Sequence, residues 1–177
     1  MNAKPIFIAI ASGSIALVAV VGILVRRKFS GGLDMKISNN GLNTIKQFEG
    51  CRLTAYQDVK GVWTIGYGHT GGVYYGQTIT QAEADTLFRQ DLAKFESGVA
   101  RLCYGVTLTQ NQFDALVSFA YNCGLSALGS STLLKKIKAN PNDKSIAAEF
   151  KKWCYSGGKI VQGLANRRTA EAQLYFL

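Results

Sequence analysis

One histidine and two prolines are all that 177 residues contain of those types, and the four cysteines include no Cys-x-x-Cys pair. A lone His69 cannot build a metal site with its surrounding residues, and no cluster of His, Cys and acids has metal-ligand spacing. No phosphate-cradling glycine loop is present, so no cofactor is expected. No repeat and no low-complexity tract interrupts the chain. Acids are also scarce, 11 against 20 Lys and Arg, for a formal charge of +9. Of this, the first 36 residues hold five basic residues against Asp34, which leaves +5 on the rest. A basic domain suits an anionic partner such as nucleic acid, lipid headgroups or acidic envelope polymers, but charge does not choose among them. No recognition helix or motif supports nucleic acid, so that partner is not expected.

What is present suffices for one globular domain plus an extra segment, since 47% of the residues are hydrophobic. Residues 6–25 carry no charge, and a helix of that length, at ~1.5 Å per residue, spans the ~30 Å hydrocarbon layer. The run predicts a membrane-spanning segment within an anchor of residues 1–28. A cleaved signal peptide would have a shorter apolar core and a small-residue cleavage pattern, and none is convincing before Arg26. Ala9, Ala11, Ser12, Gly13, Ser14, Ala16, Ala19 and Gly22 dilute the Ile, Leu and Val, so the span is marginal and able to leave the bilayer. Arg26, Arg27 and Lys28 oppose simple export, because excess positive charge stays cytoplasmic. Residues 29–36 read as a linker, and residues 37–177 as the domain.

The domain predicts an α+β fold in two lobes. Ser38, Asn39 or Asn40 caps a helix that carries Leu42, Ile45 and Phe48 and stops at Gly50 after Glu49. Leu53–Tyr56, Val62–Tyr67 and Tyr74–Ile79 predict three short strands of a small antiparallel sheet. Thr80-Gln-Ala-Glu83 is a capping box for a long helix from about 81 to the high nineties, joining the lobes. Thr109-Gln-Asn-Gln112 is a second box, heading an apolar helix that ends at Asn122-Cys-Gly124. Further helices are expected at 131–139, 144–155 and 165–176, with a cleft between the sheet-bearing and helical lobes.

Glu49, Asp58 and Thr64 come from a helix end, a turn and a strand, so they can converge on one cleft. Glycosidic hydrolysis needs one neutral and one ionised carboxyl, the first to protonate the leaving oxygen. Apolar burial would keep the proton on Glu49, while Asp58 in a wet turn would stay charged. Spacing alone is weak evidence, because two acids this far apart occur in most soluble proteins.

The surrounding residues are more specific. Glu49, eight residues, Asp58, five residues and Thr64 stand with Glu-Gly, Ala-Tyr-Gln-Asp, Trp-Thr-Ile-Gly-Tyr-Gly-His and, later, Gly-Leu-Ala-Asn-Arg-Arg with Glu171. Over about residues 37–177 the chain resembles the phage-type lysozymes or endolysins of glycoside hydrolase family 24. The resemblance implies a lysozyme-like domain that cleaves the β-1,4 bond between N-acetylmuramic acid and N-acetylglucosamine in peptidoglycan, to lyse a bacterial host. It implies Glu49 as general acid, Asp58 as activator of a water, Thr64 as its positioner, and inversion at the anomeric carbon. It also places Arg167 as an ion-pair partner of Glu49 from the helical lobe. The anchor resembles the signal-anchor-release segments of some endolysins, which implies tethering to the inner membrane, then release to the periplasm. A lytic transglycosylase and a catalytically silent murein-binding protein are the alternatives, and the chain is expected to be a monomer.

The remaining candidates weigh less. Tyr67, Trp63 and Gln57 could line the sugar cleft, though an aromatic in a short strand is more often core. His69 more readily holds the sheet lobe by a hydrogen bond or ion pair than touches substrate. Arg168 reads as a surface charge, and Trp153 as core of the helical lobe. Cys51, Cys103, Cys123 and Cys154 could form two disulfides by any of three connectivities in an oxidising compartment. Free thiols or plain structural bridges are the simpler reading. The anchor contains no cysteine, so a disulfide exchange driven from the anchor is not available.

Overall fold

The computed structural model describes residues 35–177, so the anchor of residues 1–28 and all but Met35 and Lys36 of the linker lie outside the described residues. Met35 already packs against the core and Lys36 pairs with Glu96, so domain packing begins inside the last two linker positions. Among the described residues no helix is long and apolar enough to cross a membrane.

Helix α1, Asn39–Glu49, starts at Ser38, whose hydroxyl accepts from Gly41 N and donates to Asp114. Leu42 and Ile45 are buried on one face at helical spacing. Gly50, at φ +68°, lets the chain turn away where another residue would be strained, so Glu49 ends the helix.

Strands β1 (Arg52–Gln57) and β2 (Trp63–Gly66) pair antiparallel, with Tyr56 opposite Thr64 and Gln57 opposite Trp63. The third expected strand, residues 74–79, is reduced to one bridge between Thr54 and Thr78. Its first half is consumed by a turn, where Gln77 N bonds Tyr74 O and Gly76 sits at φ +77°. β2 also stops short of Tyr67, because Gly66 is at φ +63° and Ile65 bridges back to His69.

Helices α2 (Gln81–Leu102) and α3 (Gln110–Cys123) begin at Thr80 and Thr109, and both capping boxes are fully formed. Then follow α4 (Leu125–Ser130), α5 (Thr132–Ala139), α6 (Ile146–Lys151), a two-residue-strand hairpin of β3 (Tyr155–Ser156) and β4 (Lys159–Ile160), and α7 (Gln162–Tyr175). The helix expected at 144–155 is therefore shorter. It yields to the hairpin because Gly157 and Gly158 adopt positive φ and Val161 N returns to Cys154 O at 2.9 Å. The short helix α4 had no expectation; it restarts the chain directly after Gly124.

α3 is the centre of the helical lobe, buried continuously from Gln112 to Ala120. α1, α2, α4 and α7 all pack on it. Phe113, Leu116 and Phe119 are at most 1% exposed, and each such side chain contributes about 1.5–3 kcal/mol by leaving water. Trp153, read as core, meets Phe119 edge-on at 5.3 Å. α2 touches both β2 and α3, which makes it the spine between the lobes. The rings of Tyr67, Phe88, Tyr121 and Phe95 stack across that junction.

Candidate active site

Glu49 stands at the end of α1 with its side chain 24% exposed. It lines a cleft of about 250 Å³ with Tyr67, Gly68, Thr70, Asp91, Lys94, Phe95 and Tyr121. It is thus not sealed among apolar groups, as the sequence reading supposed. Its fixed neighbour is Arg167, whose Nη1 donates to Glu49 Oε1 at 2.5 Å.

Arg167 reaches Glu49 from α7 and is only 3% exposed. Its other nitrogens are occupied, with Nε donating to Glu171 Oε1 at 3.1 Å and Nη2 to Ser118 O at 3.2 Å. Glu171 is fully buried and also accepts from Ser118 Oγ at 2.7 Å. Arg168, read as a surface charge, is fully buried instead. It lies over the Phe119 ring and donates to Asn122 Oδ1 at 2.9 Å, Cys123 Sγ at 2.8 Å and Glu171 Oε1 at 3.2 Å. Its Nε faces Glu171 Oε2 at 3.0 Å as an ion pair without hydrogen-bond alignment. α7 turns Arg167, Arg168 and Glu171 inward against α3, and no local pattern of residues announces that orientation.

Asp58 sits in the turn after β1. Its Oδ1 accepts from Lys60 N and Val62 N at 2.8 Å each, while Gly61, at φ +78°, closes the turn. Thr64 is 4% exposed on β2 and donates from Oγ1 to Val62 O at 3.0 Å. Asp58 and Thr64 are thus tied together through the N–H and the C=O of Val62. Neither lines the Glu49 cleft, and Gln57, His69 and Arg167 do not either.

Gln57 is exposed and braces the same turn, its amide donating to Gly61 O at 3.2 Å. His69 holds the lobes together, its Nδ1 at 2.9 Å from Asp91 on α2 and its Nε2 donating to Gly71 O. Tyr67 is both core and cleft, 9% exposed, with its hydroxyl accepting from Gln81 and its carbonyl from Tyr121 Oη at 2.8 Å. Burial chiefly, and Glu49 and Asp91 after it, push the Tyr121 phenol well above its ordinary value, so it stays a donor. Asp91, Lys94, Phe95, Thr70 and Tyr121 were not foreseen as cleft residues. The available signal was the i, i+3, i+4 spacing of the first three, which sets them on one face of α2.

The four cysteines are free thiols: Cys51 exposed, Cys123 half-buried, Cys103 and Cys154 buried. Among the described residues no group of three or more His, Cys, Asp or Glu could hold a metal.

Residues 46–171 match the model of the family described as phage lysozyme. The endolysin of Bacillus phage B103 is 50% identical over 144 residues, 80% of this chain and 54% of that protein, so the chain spans about half of that relative's length. A SAR-endolysin of Enterobacteria phage P21 is 33% identical over 173 residues, covering 97% of this chain and 93% of its own. The crystal structure of a P22 lysozyme variant superposes with a TM-score of 0.75 at 38% identity, covering 81% of this chain and 99% of that one. With two lobes, a small two-stranded sheet and a family match across most of the domain, the chain belongs to the phage lysozyme family.

Proposed function

We propose that this chain is an endolysin of the muramidase type, a lysozyme that hydrolyses the β-1,4 bond between N-acetylmuramic acid and N-acetylglucosamine in peptidoglycan. The observation that carries the reading is Glu49 at the cleft wall, held by a buried arginine whose other two nitrogens are both engaged.

In this reading Glu49 protonates the glycosidic oxygen as the bond to the anomeric carbon breaks. Asp58 takes a proton from the water that attacks that carbon from the opposite face, and Thr64 positions the water. One water is consumed and the configuration inverts. Glu49 is ion-paired with Arg167, and the reading requires that substrate entry loosen that pair as the glycosidic oxygen takes its proton. The two backbone amides on Asp58 Oδ1 leave its Oδ2 for water.

Residues 6–25 serve as the membrane anchor, and the enzyme is exported, tethered to the inner membrane and later released to the periplasm to lyse the host. The uncharged run and the likeness to a SAR-endolysin over nearly the whole chain support this. The product acts as a monomer.

Mass spectrometry of muropeptides released from purified peptidoglycan tests the reading. Wild type yields products with reducing-end muramic acid, and Glu49→Gln yields none while keeping the fold. Anhydro sugars from wild type would show a transglycosylase; products from Glu49→Gln would remove Glu49 as the acid.

A further inference from the structure

The chain enters the folded domain at a rigid root. Met35 packs among Ala100, Cys103, Val106, Leu108 and Phe113. Lys36 Nζ and Ile37 N each lie 2.9 Å from one oxygen of buried Glu96. Gln110 Nε2 holds Lys36 O at 2.8 Å, and Ser38 N donates to Asp114, which is fully buried. Residues 35–38 are therefore fixed on α2 and α3.

Several exposed side chains around this root are basic. Arg101 lies in the last turn of α2, and Tyr104, 60% exposed, follows in the turn after it. Lys138, at the end of α5, shares an open groove with Gly105–Thr109, whose Val106 and Leu108 also contact the Met35 site. Lys135 lies one turn earlier on the same exposed face of α5, opposite buried Leu133, Leu134 and Ile137. Of the carboxylates on the elements packed here, Glu96 and Asp114 are buried against Lys36, Ser38 and Gln110, while half-buried Asp143, bonded by Ser145, stays an anion and leaves the basic groups in excess. Basic side chains around an exposed tyrosine are the composition favoured at the headgroup level of a bilayer.

We propose that this face, Arg101, Tyr104, Lys135 and Lys138, docks on an anionic phospholipid surface while the chain is tethered. The proposal rests on the reading of residues 6–25 as the anchor. Only residues 29–34 separate Arg26, Arg27 and Lys28 from Met35, and six extended residues reach about 20 Å. The root face is the part of the domain that a bilayer holding the anchor meets first. Each basic group near an anionic leaflet raises the docked population about fivefold, an attraction that fades beyond ~8 Å in physiological salt. Six residues of α2 lead from Phe95 in the cleft to Arg101, about 9 Å of helix. Docking thus holds the cleft close to the headgroups until release.

The test uses full-length Tyr104→Trp in phosphatidylcholine vesicles with brominated acyl chains, prepared with and without phosphatidylglycerol. Flotation reports the anchor, and quenching of the introduced indole, relative to the unsubstituted chain, reports docking. Expected are flotation with both vesicles and quenching only with phosphatidylglycerol, abolished by high salt. Adding Arg101→Glu, Lys135→Glu and Lys138→Glu lowers the docked population about a hundredfold or more, without moving the unfolding midpoint, because all three are exposed. Equal quenching in both vesicles would overturn docking by charge. Flotation without quenching would overturn docking and leave the anchor standing. Absence of flotation would overturn the anchor and the docking with it.

Discussion

Arg167 meets Glu49 across 118 positions of sequence, its Nη1 2.5 Å from Glu49 Oε1. The arginine is buried and its other two nitrogens donate to Glu171 and Ser118, so it acts as a fixed post and not as a mobile surface charge.

Removing that post leaves Glu171 with Arg168 as its remaining guanidinium partner, and Glu49 without its tether. Arg167→Ala should cost about 3 kcal/mol, the scale for breaking a buried pair from one side. Arg167→Lys keeps the charge but loses the planar fork, so it should recover part of the stability and little of the activity. Urea midpoints and muropeptide release rates measure both; an unshifted midpoint in the alanine variant would show that the network does not stabilise the fold.

Asp58 separates structure from chemistry. Asp58→Asn retains the Oδ1 acceptor for Lys60 N and Val62 N, so the turn and the melting temperature should hold. Activity should fall about 10²–10⁴-fold, the range for loss of a general base. Asp58→Ala should lose the turn bonds as well. Full activity in the asparagine variant would assign water activation elsewhere.

Gly41 lets α1 approach α3. A Cβ there would stand 2.6 Å from Ile37 Cγ1 and 2.8 Å from Asp114 Cβ, so α1 must shift or the pair must strain. Gly41→Ala should destabilise by about 1–3 kcal/mol and slow catalysis too, because Glu49 rides at the far end of the same helix. Denaturation and turnover measured together check this; a neutral effect on both would mean that α1 is not tightly seated.

The thiols divide by burial. At pH 8 the native chain should alkylate at Cys51 first, with Cys103 and Cys154 reacting only on unfolding, as read by peptide mass spectrometry. Burial pushes the Cys103 thiol up to about 11, with Lys138 pulling partly back, against ~8.5 in an unfolded chain. Above ~8.5 the unfolded chain loses this proton while the folded chain keeps it. The contribution is complete below ~8.5 and is lost as pH rises through about 11, on the order of 3 kcal/mol. Tyr121 and Tyr175, also raised by burial, extend the loss at higher pH. Cys103→Ala should flatten the slope between pH 9 and 11 in chemical denaturation; an unchanged slope would place the titration elsewhere.

Much of the fold was legible locally. Thr80 with Glu83 and Thr109 with Gln112 form the capping boxes that their spacing announced, and Gly50 stops α1 where expected. Where reading failed, glycines decided. Gly76 turned a predicted strand into a bridge, and Gly157 with Gly158 turned the end of a predicted helix into a hairpin. At the site, Glu49, Tyr67 and the reach of Arg167 were visible, while Asp91, Lys94 and Tyr121 were not. Their roles depend on which face of α2 and α3 meets the sheet lobe.

The sequence by itself determined the capped starts of α1, α2 and α3, the two-lobed α+β plan and the placing of Glu49 and Asp58 on separate elements, because caps, turns and periodicity act within a few residues. Tertiary structure alone decided that Arg168 and Glu171 are buried together behind Arg167, and that α2 supplies a wall of the cleft. A buried charge is tolerable only beside its partner, and that partner stands on whichever helix the packing of α3 and α7 brings within hydrogen-bond reach.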